Sequence, residues 1–312
     1  MRWRFADLPI RTKFLITLGI PVVGLVLLIG KQVDGSIKRR NVLGYVSVQS
    51  RNIRLLGDLS HALQQEGAQS VAWLLGAEQN TQRMAMRTST TDQALARLND
   101  EALHLEHEMR PLAEPAALQR LRVQVQERRL TPAAVESEYR RLSRRQLDRL
   151  GLVFRQAMDQ EISEKLFAHV NLLNAKEAFN DARIRILRVL LADAQGSAAT
   201  TELYERIAQY ETNTALFNRD APPDAREYYQ RSYRGEEVNF VRTIVGTIHE
   251  KRSMAGLRVG PAEWWDLSGR AFELLRGVEE RTIQDIIQAT EGNARQARQR
   301  LIIVIGALLG VV

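Results

Sequence analysis

Seventeen consecutive residues near the start of the chain, Phe14–Gly30 (FLITLGIPVVGLVLLIG), carry no charge and are bracketed by Lys13 and Lys31. At a rise of about 1.5 Å per residue, a helix of that length just crosses a hydrocarbon layer of about 30 Å. A second apolar run, Leu301–Val312 (LIIVIGALLGVV), follows Arg295, Arg298 and Arg300 and continues to the last residue. Its 12 residues are too few for the same crossing, so it reads as the start of a second membrane helix cut short. The expected organisation is a cytoplasmic leader at 1–13, a transmembrane helix at 14–30, an extracytoplasmic domain at 31–300 and a truncated second span at 301–312. No small-x-small cleavage site follows the first run in KQVDGSIKRR, which favours an uncleaved anchor over a signal peptide. Positive charges do not orient it, because Arg2, Arg4, Arg11 and Lys13 before the run are balanced by Lys31, Lys38, Arg39 and Arg40 after it. The orientation with the middle segment outside rests on the length of that segment.

The middle segment has the composition of a packed domain, since the chain is 45% hydrophobic and 26% charged. It has no cysteine, which removes disulfides and thiolate metal sites. The net charge of +7 comes almost wholly from arginine. Those arginines alternate with glutamates at helical spacing, as in Glu127-Arg128-Arg129 and the RRLSRR run at 140–145, the pattern of a solvated helix face. Aromatic residues fall at core-like spacings rather than along a basic stripe, so a nucleic-acid partner is not expected.

Apolar residues recur at three- and four-residue steps through nearly all of the middle segment. Examples are Leu55-Leu59-Ala62-Leu63, Leu166-Val170-Leu173, Leu187-Leu190-Leu191 and Leu203-Ile207-Tyr210. Prolines punctuate these stretches where helices are expected to begin: Pro115, Pro132, Pro223 and Pro261. Thr131 is the expected N-cap of the helix opened by Pro132. Gly196-Ser197 and Asn218–Pro223 read as further breaks. Val238–Ile248 (VNFVRTIVGTI) is rich in β-branched residues and has strand propensity, but no partner strand exists for it, so helix is expected there too. From Pro261 onward no proline interrupts the chain, and Phe272, Leu275, Val278, Thr282 and Ile286 form a narrow stripe. A stripe of that width suits a helix–helix seam, with the two membrane-proximal helices side by side and a second subunit against them in a homodimer.

Sequence patterns of catalysis are missing: no GxxxxGK[ST], GxSxG or HExxH occurs, and no histidine accompanies a nucleophile. Glu101, His104 and His107 share one helical face, but Glu106 and Glu108 beside them make a solvated charged surface the simpler reading. Neither a catalytic residue nor a metal or cofactor is therefore expected in this segment.

Three stretches do carry a resemblance. His61–Leu74 (HALQQEGAQSVAWL) matches a pattern of the form HxLQxERGxSAGFL at Leu63, Gln64, Glu66, Ser70 and Leu74, with Trp73 where an aromatic is usual. Ala175–Arg183 (AKEAFNDAR) matches AKEAAGxER at Lys176, Glu177 and Arg183, and Glu263–Arg270 (EWWDLSGR) matches a tryptophan-led helix start, with Ser268 and Arg270 near its hydroxyl and basic positions. Their order and spacing, over roughly Leu55 to Glu280, resemble the nitrate- and nitrite-sensing domain of bacterial transmembrane receptors, sensor histidine kinases and chemoreceptors among them. The resemblance implies an all-α fold of two stacked antiparallel bundles between two transmembrane helices. It also implies placement at the bacterial inner membrane and a small anion, nitrate or nitrite, bound by arginines. The residues it places at the ligand are Glu66, Gly67, Ser70, Arg183, Ser268 and Arg270. A guanidinium suits such a ligand because it is always charged and presents a planar fork of donors to a flat, delocalised anion.

The chain departs from the pattern at one position. The arginine that follows the motif's glutamate is Gly67 here, and the next glycine is Ala68. Glycine offers no side-chain donor and costs a helix about 1 kcal/mol relative to alanine, so Gly67 points to close helix approach. The expected function is ligand sensing outside the cytoplasm, with output through the last helix to a cytoplasmic kinase or chemoreceptor module. The alternative is a helical membrane protein whose outer domain binds a protein partner.

Overall fold

A computed structural model describes residues 9–101, 115–153, 160–191, 197–254 and 257–311, and among these every regular element is a helix. In chain order they are α1 (Ile10–Leu74), α2 (Thr81–Glu101), α3 (Pro115–Gln126), α4 (Pro132–Val153), α5 (Gln160–Leu190), α6 (Ser197–Asp220), α7 (Pro223–Ser232), α8 (Glu236–Lys251) and α9 (Pro261–Val311). The all-α expectation holds. Each of the four prolines singled out opens a helix, at a position where its missing N–H would have had no partner. Thr131 caps α4 as expected, its Oγ1 accepting the Ala134 N–H at 3.2 Å.

Val238–Ile248 is helical. In α8 the buried residues are Val238, Val241, Ile244, Val245 and Ile248, a helical face that packs into the core. The threonines between them turn outward, and their hydroxyls donate back to the carbonyls of Asn239 and Thr243 at 2.9 and 2.7 Å. Packing of one continuous face outweighs the local preference of β-branched residues, a difference of only tenths of a kcal/mol per residue.

The chain divides into two compact units, 48–287 and the pair of segments 1–47 and 288–312. In the larger unit, α5 to α9 enclose an aromatic core. Phe179 packs on Tyr210 and Phe272, Phe217 on Tyr229, and Tyr229 on Tyr233, with ring centroids 5.3–6.2 Å apart. The indole of Trp264 is fully buried and donates from Nε1 to the carbonyl of Arg183 at 2.9 Å, tying α9 to α5. A second set of buried residues comes from α2, α3 and α4: Leu95, Leu98, Leu118, Leu121, Val125, Val135 and Leu142. Leu56, Leu59, Leu63 and Val71 of α1 are buried along the same stretch of chain that carries the first motif.

The stripe on α9 is not a seam awaiting a second subunit. Phe272, Leu275, Val278, Thr282 and Ile286 are each at most 5% exposed within a single chain. The narrow stripe looked like a coiled-coil edge because charged residues flank it, yet several of those charges are themselves buried in ion pairs. Arg276 and Glu279 are 7% and 1% exposed. The expectation that α1 and α9 lie side by side does hold in this unit, where Arg276 reaches Asp58 and His61 stacks on Phe272 at 5.4 Å.

The smaller unit contains the two apolar runs. Among the described residues no helix is long and apolar enough to cross a membrane. Most side chains of the Phe14–Gly30 run lie outside the described residues, so the span remains a reading of the sequence. Of the side chains that are described, Phe14, Ile302 and Ile303 are 60–68% exposed.

Gly67 sits where α1 meets α4. A Cβ built on it would lie 2.5 Å from the Cβ and 2.6 Å from the Cγ of Tyr139, closer than packed carbons come. This is the close approach anticipated from the sequence, and it leaves no room for the arginine of the family pattern. Gly67→Ala is therefore expected to destabilise the fold. The overpacking cost of about 1–3 kcal/mol outweighs the gain of up to about 1 kcal/mol in helix propensity. Tyr139→Ala would not relieve it, because the nearest atom is the tyrosine's own Cβ. Urea denaturation of the two single variants and the double variant checks this; a Gly67→Ala protein as stable as the parent would contradict it.

Candidate functional site

Every residue from Ala175 to Leu187 of α5 is buried. A helix buried all round is normally apolar, yet this stretch carries Lys176, Glu177, Asp181, Arg183 and Arg185. Charges removed from water need partners, and most of these have them. Lys176 pairs with Glu279 of α9, which also accepts from Arg276 at 2.5 Å. Asp181 lies 2.9 Å from Arg140 of α4 and 3.4 Å from Arg206 of α6. Arg185 meets Glu136 of α4 at 3.0 Å and also Glu202 of α6. Glu177 faces Arg144 of α4 at 3.7 Å.

Arg183 is the exception. It is 1% exposed, and among the described residues no carboxylate lies within 4 Å of its guanidinium. Among the described residues its one polar partner is the Asn180 side-chain oxygen at 3.4 Å, and its Nε has none. The guanidinium instead lies across α9, 4.8 Å from the ring centre of Trp265 and 5.0 Å from that of Phe272. Gly269, between those two aromatics in sequence, leaves the space: a Cβ there would come within 3.5 Å of Nη1. Cation–π contacts contribute about 0.5–2 kcal/mol each, less than the several kcal/mol needed to hold a bare charge away from water. Burial accordingly lowers the Arg183 pKa to about 10, with Glu273 opposing the shift and Arg87 adding to it.

Both of these residues are near enough to act on it electrostatically. Glu273 of α9 accepts from Gln65 Nε2 of α1 at 2.5 Å and faces Arg87 of α2 at 3.5 Å and His61 Nε2 at 3.4 Å. Its carboxyl is held down to about 2: burial pushes upward, but the His61 hydrogen bond and the charges of Arg87 and Arg183 prevail. His61 in turn lies 3.4 Å from Lys176 through Nδ1. Burial, with Lys176 close by, lowers its pKa to about 4, so it is neutral at pH 7. An Nε2–H tautomer satisfies both neighbours, accepting from Lys176 and donating to Glu273. Side chains of α1, α2 and α9 thus cluster beside Arg183, which has no carboxylate within 4 Å among the described residues. Ser268 is fully buried beside Gly269, and its hydroxyl has no partner among the described residues.

The residues singled out in the sequence fall into three environments. Arg183 lies at the buried α5–α9 contact just described, and Ser268 is buried on α9 next to Gly269. Glu66 is buried elsewhere, with both oxygens committed: Arg122 of α3 donates at 2.7 and 2.9 Å and Tyr139 at 2.8 Å. Ser70 donates to the Glu66 carbonyl one turn back at 2.8 Å, and Gly67 is pressed on Tyr139. Arg270 is solvent-facing, 54% exposed, and paired with Asp266 at 2.6 Å. His104 and His107 lie outside the described residues, while Glu101 ends α2 on the surface. Arg87 was not legible. Its only trace is helical register, since Met84, Thr88 and Thr91 of α2 turn inward around it. The aromatic pair was more accessible in principle, because Trp265 and Phe272, two turns apart with Gly269 between, form a slot on one helix face.

Residues 58–287 match the family described as nitrate and nitrite sensing. The chain belongs to that family. Among solved structures, the NasR transcription antiterminator resembles it with a TM-score of 0.71 at 18% identity, over 92% of this chain and 83% of that one. At that identity the likeness speaks for the fold alone. No curated protein matches the chain in sequence. The family match covers all three motif stretches, so the nitrate- and nitrite-sensing domain here retains an arginine on α5 and lacks one at Gly67 on α1.

This site carries an acid sensitivity whose sign is fixed. His61 titrates near 4 in the folded protein and near 6.5 unfolded. Its contribution is undiminished above pH 6.5 and is lost as pH falls from 6.5 towards 4, because the unfolded chain takes the proton first. The full gap corresponds to about 3 kcal/mol. His169, lowered by burial to about 4 as well, adds a parallel dependence. Urea midpoints measured at pH 7 and pH 4.5 should therefore fall on acidification, and fall less in His61→Gln. Equal losses in the two proteins would show that His61 is not held neutral.

Proposed function

We propose that this chain is the sensory region of a bacterial membrane-anchored signalling protein, and that Arg183 grips a small planar anion, nitrate or nitrite. The observation that carries the reading is the guanidinium of Arg183, buried and, among the described residues, with no carboxylate within 4 Å, on a helix whose other buried charges each face an opposite one. An anion supplies the missing counter-charge and meets a fork of donors in the plane it prefers. Arg87 on α2 provides a second positive group on a different helix, and Glu273 on α9 is the carboxylate the ligand competes with. Binding then alters what holds α9 against α1 and α2. Because α9 continues without interruption to Val311, a shift at Glu273 has a direct path to the chain's end.

Membrane attachment is supported by the uncharged run Phe14–Gly30, by the helix that continues through it, and by exposed apolar side chains at both ends of the chain. In this reading residues 31–300 are extracytoplasmic, and the output is a kinase or chemoreceptor module following α9. Alkaline phosphatase fused after Gly260, in the exposed approach to α9, is expected to be active in a bacterial host. A silent fusion alongside an active cytoplasmic reporter at the same site would place the domain inside the cell.

Calorimetric titration of the full chain in lipid nanodiscs with sodium nitrate and sodium nitrite tests the ligand. Saturable binding is expected, and Arg183→Lys should weaken it by about one to two decades, the value of a hydrogen bond to a charged group. Lysine keeps the charge but not the planar fork, so an unchanged affinity would remove Arg183 from the site. Absence of heat with both anions from the parent protein would favour a protein partner for this domain.

A further inference from the structure

A cavity of about 480 Å³ opens between α1, α2, α3 and α4. Its floor is Glu66, Ser70, Arg122, Val125 and Tyr139, all buried or nearly so, and its mouth is formed by exposed residues of α2, Ala85, Ser89 and Asp92 among them. None of the groups around Arg183 lines it. Its size is that of pockets holding drug-sized organic ligands, about 300–1,000 Å³, and far exceeds what a four-atom anion fills.

Charge decides which molecule fits. The ionised groups of the lining are the carboxylates of Glu66 and Asp92 and the guanidinium of Arg122, so one negative charge is left over. Arg122 offers little to an anion. Its Nε and Nη2 are taken by Glu66, its Nη1 by Asp92 at 2.7 Å, and Nη2 also donates to the Thr88 carbonyl. These partners hold its pKa above the ordinary value despite burial, and the Tyr139 hydroxyl is likewise kept protonated by burial and the adjacent Glu66 carboxylate. Both oxygens of Glu66 are filled. Asp92 is different: Oδ1 accepts from Arg122, while Oδ2 has no protein partner among the described residues and stands at the half-exposed rim. The remaining walls combine the apolar side chains of Trp73, Met84, Ala85 and Val125 with the uncharged polar ones of Ser70, Thr81, Thr88, Ser89 and Gln126. Arg128 lies over the Trp73 ring, its guanidinium 4.7 Å from the ring centre.

We infer that this α1–α4 cavity is a binding site for a small organic cation, its ammonium on the free oxygen of Asp92 and its apolar body against Trp73, Met84 and Val125. It is selective in the opposite sense to the Arg183 site: a carboxylate ligand of the same shape meets two resident carboxylates. The site is independent of the anion reading, since it shares no lining residue with it.

The test uses 2-phenylethylamine as probe, titrated calorimetrically into the full chain in lipid nanodiscs, with phenylacetate as the like-shaped anion. Saturable one-site binding of the amine and none of the acid are expected. Asp92→Asn keeps an oxygen for Arg122 but removes the charge, and should weaken the amine about ten- to a hundredfold. Ala85→Phe fills the mouth from an exposed position, so it should abolish amine binding while thermal melting by circular dichroism stays unchanged. Saturating nitrate should leave the amine affinity as it was. No saturable heat from the amine, equal binding of phenylacetate, or undiminished binding by Ala85→Phe would overturn the proposal.

Discussion

The rest of the structure depends on how α5 keeps its charges inside. Lys176, Glu177, Asp181, Arg183 and Arg185 occupy a stretch with no solvent face, and each compensated one draws its partner from another helix. Glu136, Arg140 and Arg144 come from α4, Glu202 and Arg206 from α6, and Glu279 from α9. The Glu279 pair extends through Arg276 to Asp58 of α1. Burial disfavours the charge on Glu279, but Arg276 and Lys176 bring its pKa down to about 2, so it stays ionised where it is needed. Removing one partner of such a pair typically costs about 3–5 kcal/mol, because the other charge is left stranded. The arrangement thus fixes which helices surround α5 and in what register, more than apolar packing would.

Compensation is not complete throughout the network. Glu177, buried beside Asp181 and 3.7 Å from Arg144, is raised to about 7, so its proton is loosely held at neutral pH. Arg183 is the larger imbalance, clasped by two aromatic faces that offset only part of its cost. In a scaffold where the other buried charges of α5 each face an opposite one, a cation with no carboxylate within 4 Å among the described residues is a natural place for an external anion to act. A ligand shifts an equilibrium only by its difference in affinity for two states. The proposed difference lies in Glu273, which shares Arg87, Gln65 and His61 across three helices and has an anion as its competitor.

The two proposed recognition surfaces, opposite in sign, flank α1. His61 and Gln65 face Glu273 on α9, whereas Glu66, Ser70 and Trp73 face the α2–α4 cavity. A single motif stretch supplies both because successive side chains of a helix point about 100° apart. The motif's glutamate is a brace in this chain, closed off by Arg122 and Tyr139, and the missing arginine is explained by Tyr139 occupying its space.

Much of the architecture was determined by the sequence itself. Helical periodicity, prolines at helix starts and the Thr131 cap are local signals, and local signals set where helices begin and end. The three motifs carried the family, and Gly67 carried the close helix approach. What the sequence left undecided were matters of distance between helices. The α9 stripe read as an intersubunit seam, because a buried Arg276 or Glu279 has the same letters as a solvated one. Arg270 and Arg183 were equal candidates for the anion; the fold turned one to solvent beside Asp266 and enclosed the other between Trp265 and Phe272. Arg87 carried no motif at all. Whether an arginine is paired, exposed or stranded depends on which carboxylates other helices bring within about 4 Å of it, and only the tertiary structure decides that.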